Sequence, residues 1–222
     1  MKPWIQQSLV APAAGILERT AAAAGLVLLS PVLVGIAAAI RLGDGGTVLF
    51  RQTRAGCGGR PFDLLKFRSM RSNAGGPRVT GGGDSRVTRL GRILRAYKLD
   101  ELPQLWNIVR GDMSFIGPRP EVFDFVDLGD PVWRAVLSVR PGITDLATLV
   151  YRNEEQLLAA SPDPVKEYRR SILPDKLALN LEYLRRRSLA ADLRLLALTA
   201  RYSFWPDGFE PQKVKQTVLS NG

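Results

Sequence analysis

The 222-residue chain contains no histidine, which removes the commonest general base and the commonest metal ligand together. Acid–base or nucleophilic work therefore falls to Asp, Glu, Lys, Tyr, Ser or a thiol. The single cysteine, Cys57, excludes an internal disulfide and any cysteine-rich zinc or iron–sulfur site. It lies among glycines and reads as an incidental exposed thiol, and a reducing setting fits. Neither a zinc-finger spacing nor an RNA-binding aromatic signature is present. Acidic residues are the scarcer sign, 21 against 31 basic, for a net charge of +10. The partners implied are anionic: nucleic acid, phosphorylated small molecules or an acidic membrane face. The basic residues are spread through several segments and form no tail, which places nucleic acid second. At 45% hydrophobic and 23% charged, the composition is that of a folded protein, with one compact domain plus appendages as the default.

Charge is missing altogether from Thr20 to Ile40. This run matches the ~20 apolar residues a bilayer crossing needs. It is too long for a secretory signal, and no processing site follows. A plain transmembrane helix is the ordinary reading of such a run, but Ser30-Pro31 sits at its middle. The proline removes the hydrogen bond its N–H would give to Val27, at a cost of ~3 kcal/mol to a regular helix. The Ser30 hydroxyl is placed to reach back to the carbonyl of Leu26 or Val27. Positive residues flank both ends, Lys2 and Arg19 before and Arg41, Arg51, Arg54 and Lys66 after, so both ends favour the cytoplasmic side. On these residues alone, a spanning helix and a re-entrant one broken at Ser30-Pro31 are comparable.

Further on, Thr47 to Gln52 and Phe62 to Phe67 read as strands joined by a turn at residues 55–61. Residues 72–86, rich in Gly, Ser and Asn, read as a loop and lack the Gly-Lys-Ser/Thr ending of a nucleotide P-loop. Thr88 to Tyr97 places Leu90, Ile93, Leu94 and Tyr97 on one helical face and Arg89, Arg92 and Arg95 on another. A row of charge like this is ordinarily a solvated face. Two carboxylates follow, Asp100 and Glu101. Asp100 reads as the N-cap of a helix carrying Leu102, Leu105, Trp106 and Val109 and ending at Gly111, with Pro103 in its first turn. Acidic residues in a first turn are ordinary capping. The alternative is chemical: a helix N-terminus favours an anion by ~0.3–1 kcal/mol, and a hard divalent cation relieves two neighbouring carboxylates. Beyond Pro174 two helices are expected, one ending in Arg185-Arg186-Arg187 and one from Leu189 to the aromatics Phe204-Trp205. Their leucines suit a core, and their arginines and aromatics suit a membrane headgroup layer.

The blocks Lys66-Phe67-Arg68-Ser69-Met70, Leu99-Asp100-Glu101-Leu102-Pro103-Gln104-Leu105, residues 111–120 (GDMSFIGPRP) and Arg140-Pro141-Gly142-Ile143-Thr144 occur in an order that resembles the bacterial sugar transferase family. These are the small, membrane-monotopic polyprenyl-phosphate phosphoglycosyl transferases. The likeness runs from about Ala21 to Asp192-Leu193-Arg194, and it is to the small form, without extra N-terminal spans or a regulatory domain. It implies an α/β, helix-dominated fold with a small β-hairpin. A re-entrant membrane helix over residues 1–42, broken at Ser30 and Pro31, would precede a cytoplasmic catalytic domain over residues 43–222. The implied place is the cytoplasmic face of the bacterial inner membrane, among its lipids; a homo-oligomer is left open, and no nucleic acid is expected.

The resemblance also implies a reaction. Asp100 would attack a UDP-sugar, release UMP and hold a phosphosugar, which polyprenyl phosphate then takes to begin glycan assembly. Glu101 would bind Mg2+. Lys66, Arg95 and Arg119 would surround the phosphates, with Pro118 and Pro120 framing Arg119. Covalent carboxylate catalysis and clustered cations suit such a transfer. Asp145 stands where the family commonly has glycine, so the sugar is not implied. The reading from another class is a membrane-anchored basic scaffold or nucleic-acid binder without catalysis.

Overall fold

The computed structural model describes residues 12–71, 84–205 and 207–220; most of the expected 72–86 loop lies outside them. Two helices open it, α1 (Pro12–Leu28) and α2 (Ser30–Asp44). They meet at Leu29 with a bend of 61°. Pro31 sits in the first turn of α2, where its missing N–H costs nothing. The Ser30 hydroxyl donates to the Val27 carbonyl at 2.7 Å, taking up the acceptor that the proline leaves. Among the described residues no single helix is long and apolar enough to cross a membrane, whereas the bent pair together is. Val27, Leu28 and Val34 on this pair are largely exposed.

An antiparallel hairpin follows, β1 (Leu49–Ala55) and β2 (Pro61–Phe67), in the register Leu49 opposite Phe67 and Ala55 opposite Pro61. Next comes α3 (Arg89–Ala96), capped by the Thr88 side chain on the Gly91 N–H. Its backbone lies so close to Ser69 that a Cβ on Gly91 would stand 2.0 Å from the Ser69 carbonyl oxygen. Only this side of α3 is buried. Leu94 is in the core, while Ile93 and Tyr97, expected on the same buried face, are about half exposed.

The chain then reverses at Lys98, the one described non-glycine residue with positive φ, at 57°. Leu99–Glu101 forms a single tight turn, and α4 (Gln104–Arg110) begins only at Gln104. Asp100 is therefore not the N-cap. Pro103 occupies that position without a side-chain cap, and the two carboxylates turn inward toward side-chain cations. Leu105 and Ile108 of α4 pack with Met113 on Ala22 and Leu26 of α1, whereas Trp106 is half exposed. Ile40 of α2 joins Phe67 and Leu94 in a neighbouring cluster. The bent pair thus shares its cores with the segments that carry Lys66 and Asp100.

Strand β3 (Ser114–Ile116) precedes α5 (Pro131–Val136) and pairs in parallel with β4 (Gly142–Thr144). At this crossing Gly117 and Gly142 lie backbone to backbone, and a Cβ on Gly142 would stand 2.1 Å from the Gly117 nitrogen. Only glycine permits such an approach. The C-terminal part is helical: α6 (Leu146–Val150), α7 (Glu154–Ala159), α8 (Pro164–Glu167), α9 (Leu173–Arg185), α10 (Leu189–Phe204) and α11 (Pro211–Leu219). Its cores centre on Trp133, Leu158 and Tyr168 on one side and on Leu146, Tyr183 and Leu195 on the other. The helix-dominated α/β architecture and the small hairpin are as the sequence implies.

Candidate active site

Two segments distant in the chain converge on Glu101. Lys66, near the end of β2, places its Nζ 3.0 Å from Glu101 Oε1. Arg119, in the loop after β3, sets Nη2 2.5 Å from Oε1 and Nη1 3.2 Å from Oε2. That loop is held from below by the Gly142 N–H, which donates to the Pro118 carbonyl at 3.1 Å, and from the side by Arg54, which donates to the Pro120 carbonyl at 3.0 Å. Pro118 and Pro120, on either side of Arg119, are both buried.

Asp100 stands beside this cluster, 7% exposed, and its Oδ1 is buried without a hydrogen-bond partner among the described residues. The adjacent carboxyls are driven apart. Burial pushes Asp100 above the usual aspartate range, against the pull of Lys66, and the neighbouring Glu101 charge adds to the rise. Burial also pushes on Glu101, but Arg119 and Lys66 hold it well below the usual carboxylate range. Burial lowers the Lys66 ammonium, while Glu101 raises the Arg119 guanidinium. Two like groups with opposite shifts are the pattern by which neighbouring carboxyls divide their roles.

The cluster opens into a cleft of about 530 Å³ lined by Lys66, Arg95, Asp100, Glu101 and Arg119. It is continuous, through Arg95, Lys98 and Arg119, with a basic space of about 700 Å³ bounded by Arg71, Arg89, Arg92 and Arg152. The arginine row of α3 therefore faces this space. Arg95 itself is ion-paired with Glu155. Behind Glu101 lies a smaller, mostly apolar hollow of about 140 Å³, between Leu102, Leu105, Ile143 and Leu149. Among the described residues no group of three His, Cys, Asp or Glu side chains is gathered for a metal. Both Glu101 oxygens are held by Lys66 and Arg119, and the oxygen left without a partner is Asp100 Oδ1. A magnesium ion, which takes one or two carboxylates together with substrate phosphate and water, would be held through Asp100 and would share Glu101 with its two cations.

Several neighbours carried no sequence signal. Lys98 lies close enough for its charge to lower both carboxyls. Glu121 faces Arg54 at 3.7 Å and Lys176 at 3.7 Å. Lys176, buried on α9, also pairs with Glu154 at 3.0 Å, and the Tyr168 hydroxyl donates to Glu121. These contacts join residues as distant in the chain as Arg54 and Glu121 or Glu121 and Lys176, which no local pattern reveals. Ser30 and Pro31 are not part of this cluster; they form the bend between α1 and α2.

Comparison with known proteins adds an independent line. A family profile described as bacterial sugar transferase matches residues 11–205. A UDP-glucose:undecaprenyl-phosphate glucose-1-phosphate transferase of Caulobacter vibrioides is 41% identical over 83% of this chain and 67% of its own length. A UDP-N-acetylgalactosamine-undecaprenyl-phosphate N-acetylgalactosaminephosphotransferase of Aeromonas hydrophila is 44% identical over 59% of this chain and 32% of its own. A UDP-glucose:undecaprenyl-phosphate glucose-1-phosphate transferase of Escherichia coli K12 is 36% identical over 81% and 37%. The chain thus spans two thirds of the first relative and about a third of the other two.

Proposed function

Because the chain belongs to the bacterial sugar transferase family, we propose that it transfers a phosphosugar from a UDP-sugar to polyprenyl phosphate through a covalent intermediate on Asp100. The observation that carries this reading is the buried, unpartnered Oδ1 of Asp100 beside a carboxylate already neutralised by two cations. In the first step a lone pair of the Asp100 carboxylate attacks the sugar-bearing phosphorus. The bond from that phosphorus to the bridging oxygen breaks, and UMP leaves with the electron pair. In the second step the phosphate oxygen of polyprenyl phosphate attacks the same phosphorus, frees the Asp100 carboxylate and leaves as polyprenyl-diphospho-sugar.

Lys66, Arg119 and Arg95 supply positive charge around the transferring group, and such preorganised charge is the main means of catalysis in phosphoryl transfer. Glu101, once Lys66 or Arg119 turns to the substrate, and the adjacent Asp100 would hold a magnesium ion, which would supply neutralisation of diphosphate charge. The bent pair α1–α2, with its exposed apolar side chains, enters the membrane from the cytoplasmic face and returns to it. The acceptor lipid then remains in the bilayer while its phosphate meets Asp100. The sugars named for two relatives differ, glucose in one and N-acetylgalactosamine in the other, so the reading names a UDP-sugar without choosing among them.

The test is a panel of UDP-sugars with polyprenyl phosphate and magnesium, read by UMP release, together with mass spectrometry of the protein after UDP-sugar alone. A phosphosugar adduct on the peptide containing Asp100 is the expected result. Absence of UMP with every sugar, alongside tight and salt-sensitive binding of DNA or RNA, would replace the enzyme by a basic binding protein.

A further inference from the structure

Asp145 is completely buried, yet it forms no ion pair among the described residues. Its two oxygens are taken by the main chain on opposite sides. Oδ1 accepts from the Thr148 N–H and caps α6. Oδ2 reaches across the β3–β4 crossing and accepts from the Arg119 N–H at 2.7 Å. The helix cap needs only the first of these bonds. The second falls on the residue whose guanidinium forks onto Glu101. With the Pro118 and Pro120 carbonyls each accepting a hydrogen bond, the Arg119 backbone is held before, at and after its Cα.

We infer that Asp145 is a positioning residue, which fixes the Arg119 main chain so that the guanidinium meets Glu101 at the edge of the phosphate cleft. The inference rests on the functional reading above. Thr148, at the other end of the same carboxylate, lines both the basic space and the apolar hollow behind Glu101. One carboxylate thereby links the Arg119 main chain to the helix turn whose Thr148 borders both spaces.

Asp145→Asn and Asp145→Ser separate positioning from capping. Asparagine and serine both cap helices well, and neither can accept from Thr148 and Arg119 at once with the aspartate geometry. Each variant is combined with Arg119→Lys in a double-mutant cycle, read as kcat and KM for UMP release and as thermal unfolding. Alone, each should lower kcat by about 10–100-fold, the scale of a small misplacement of a catalytic group, with a lesser change in KM. In the Arg119→Lys background the further loss should shrink to about threefold or less, because both changes act through one group. Equal losses in the two backgrounds overturn the inference, and so does a lower Tm with kcat and KM unchanged. Should Asp145→Asn not fold, the serine variant decides alone. Asp100→Asn serves as the control: if it is inactive while the Asp145 variants behave as wild type, only the positioning role falls, whereas a wild-type chain that releases no UMP removes the functional reading and this inference together.

Discussion

Arg119 and Glu101 meet as a fork on a carboxylate, with Nη2 2.5 Å from Oε1 and Nη1 3.2 Å from Oε2. The Lys66 ammonium shares Oε1 from the other side. Arg119→Lys keeps the charge but not the fork. Its kcat/KM for UMP release should fall about 100-fold, roughly 2.7 kcal/mol of transition-state stabilisation. Arg119→Ala removes a partner from a buried ion pair and should also cost about 3 kcal/mol of unfolding free energy, measured by denaturant titration.

Asp100→Asn should abolish UMP release and, at the same time, stabilise the protein. Burial raises the Asp100 pKa, so its ionised form is disfavoured in the fold. That contribution to stability is fully present at low pH and is lost as the pH rises through the raised folded value. At neutral pH the asparagine variant should therefore unfold about 1–3 kcal/mol less readily, the cost of an unsatisfied buried group. Below about pH 3.9, the usual aspartate value, the difference should vanish. An inactive variant with unchanged or lower stability at pH 7 would contradict the burial argument.

Glu101 titrates in the opposite sense. Its folded pKa is depressed, so its contribution to stability is present above the unfolded value of about 4.3 and is lost as the pH falls through the folded one. Unfolding free energy followed from pH 7 down to pH 2 should drop more steeply for wild type than for Glu101→Gln. The same variant should need more magnesium for half-maximal UMP release.

The bend at Leu29 can be tested by topology. Cysteines placed singly at Lys2 and Leu42, in a Cys57→Ser background, should both react with a membrane-impermeant maleimide only from the cytoplasmic side. Labelling of the Lys2 position from outside would mean that the pair spans the bilayer.

Much of this was legible in the chain. The hairpin, the helix boundaries after Pro174 and the Ser30 hydroxyl bond to Val27 all follow from local chemistry, and local chemistry is what a linear pattern records. Glu101, Lys66 and Arg119 came from block resemblance, because residues 66, 101 and 119 meet only through tertiary packing. The misread elements share one cause. Periodicity describes an isolated helix, and on that pattern alone Asp100 is a cap and Ile93, Tyr97 and Trp106 are buried, whereas the fold turns Asp100 inward and leaves the other three about half exposed. Here α3 and α4 are short, and their orientation is set by close contacts at Gly91 and by the inward turn of the carboxylates. Asp145 was visible as an anomaly, but its meaning lay in an N–H donated from residue 119.

The left-handed backbone at Lys98 is an instance of stability given up for charge. At that angle a glycine would be at ease, and a residue with a side chain pays on the order of 1 kcal/mol. A lysine there keeps a cation whose field reaches both Asp100 and Glu101, so a glycine at 98 would relieve the backbone and at the same time take that charge away from the two carboxylates.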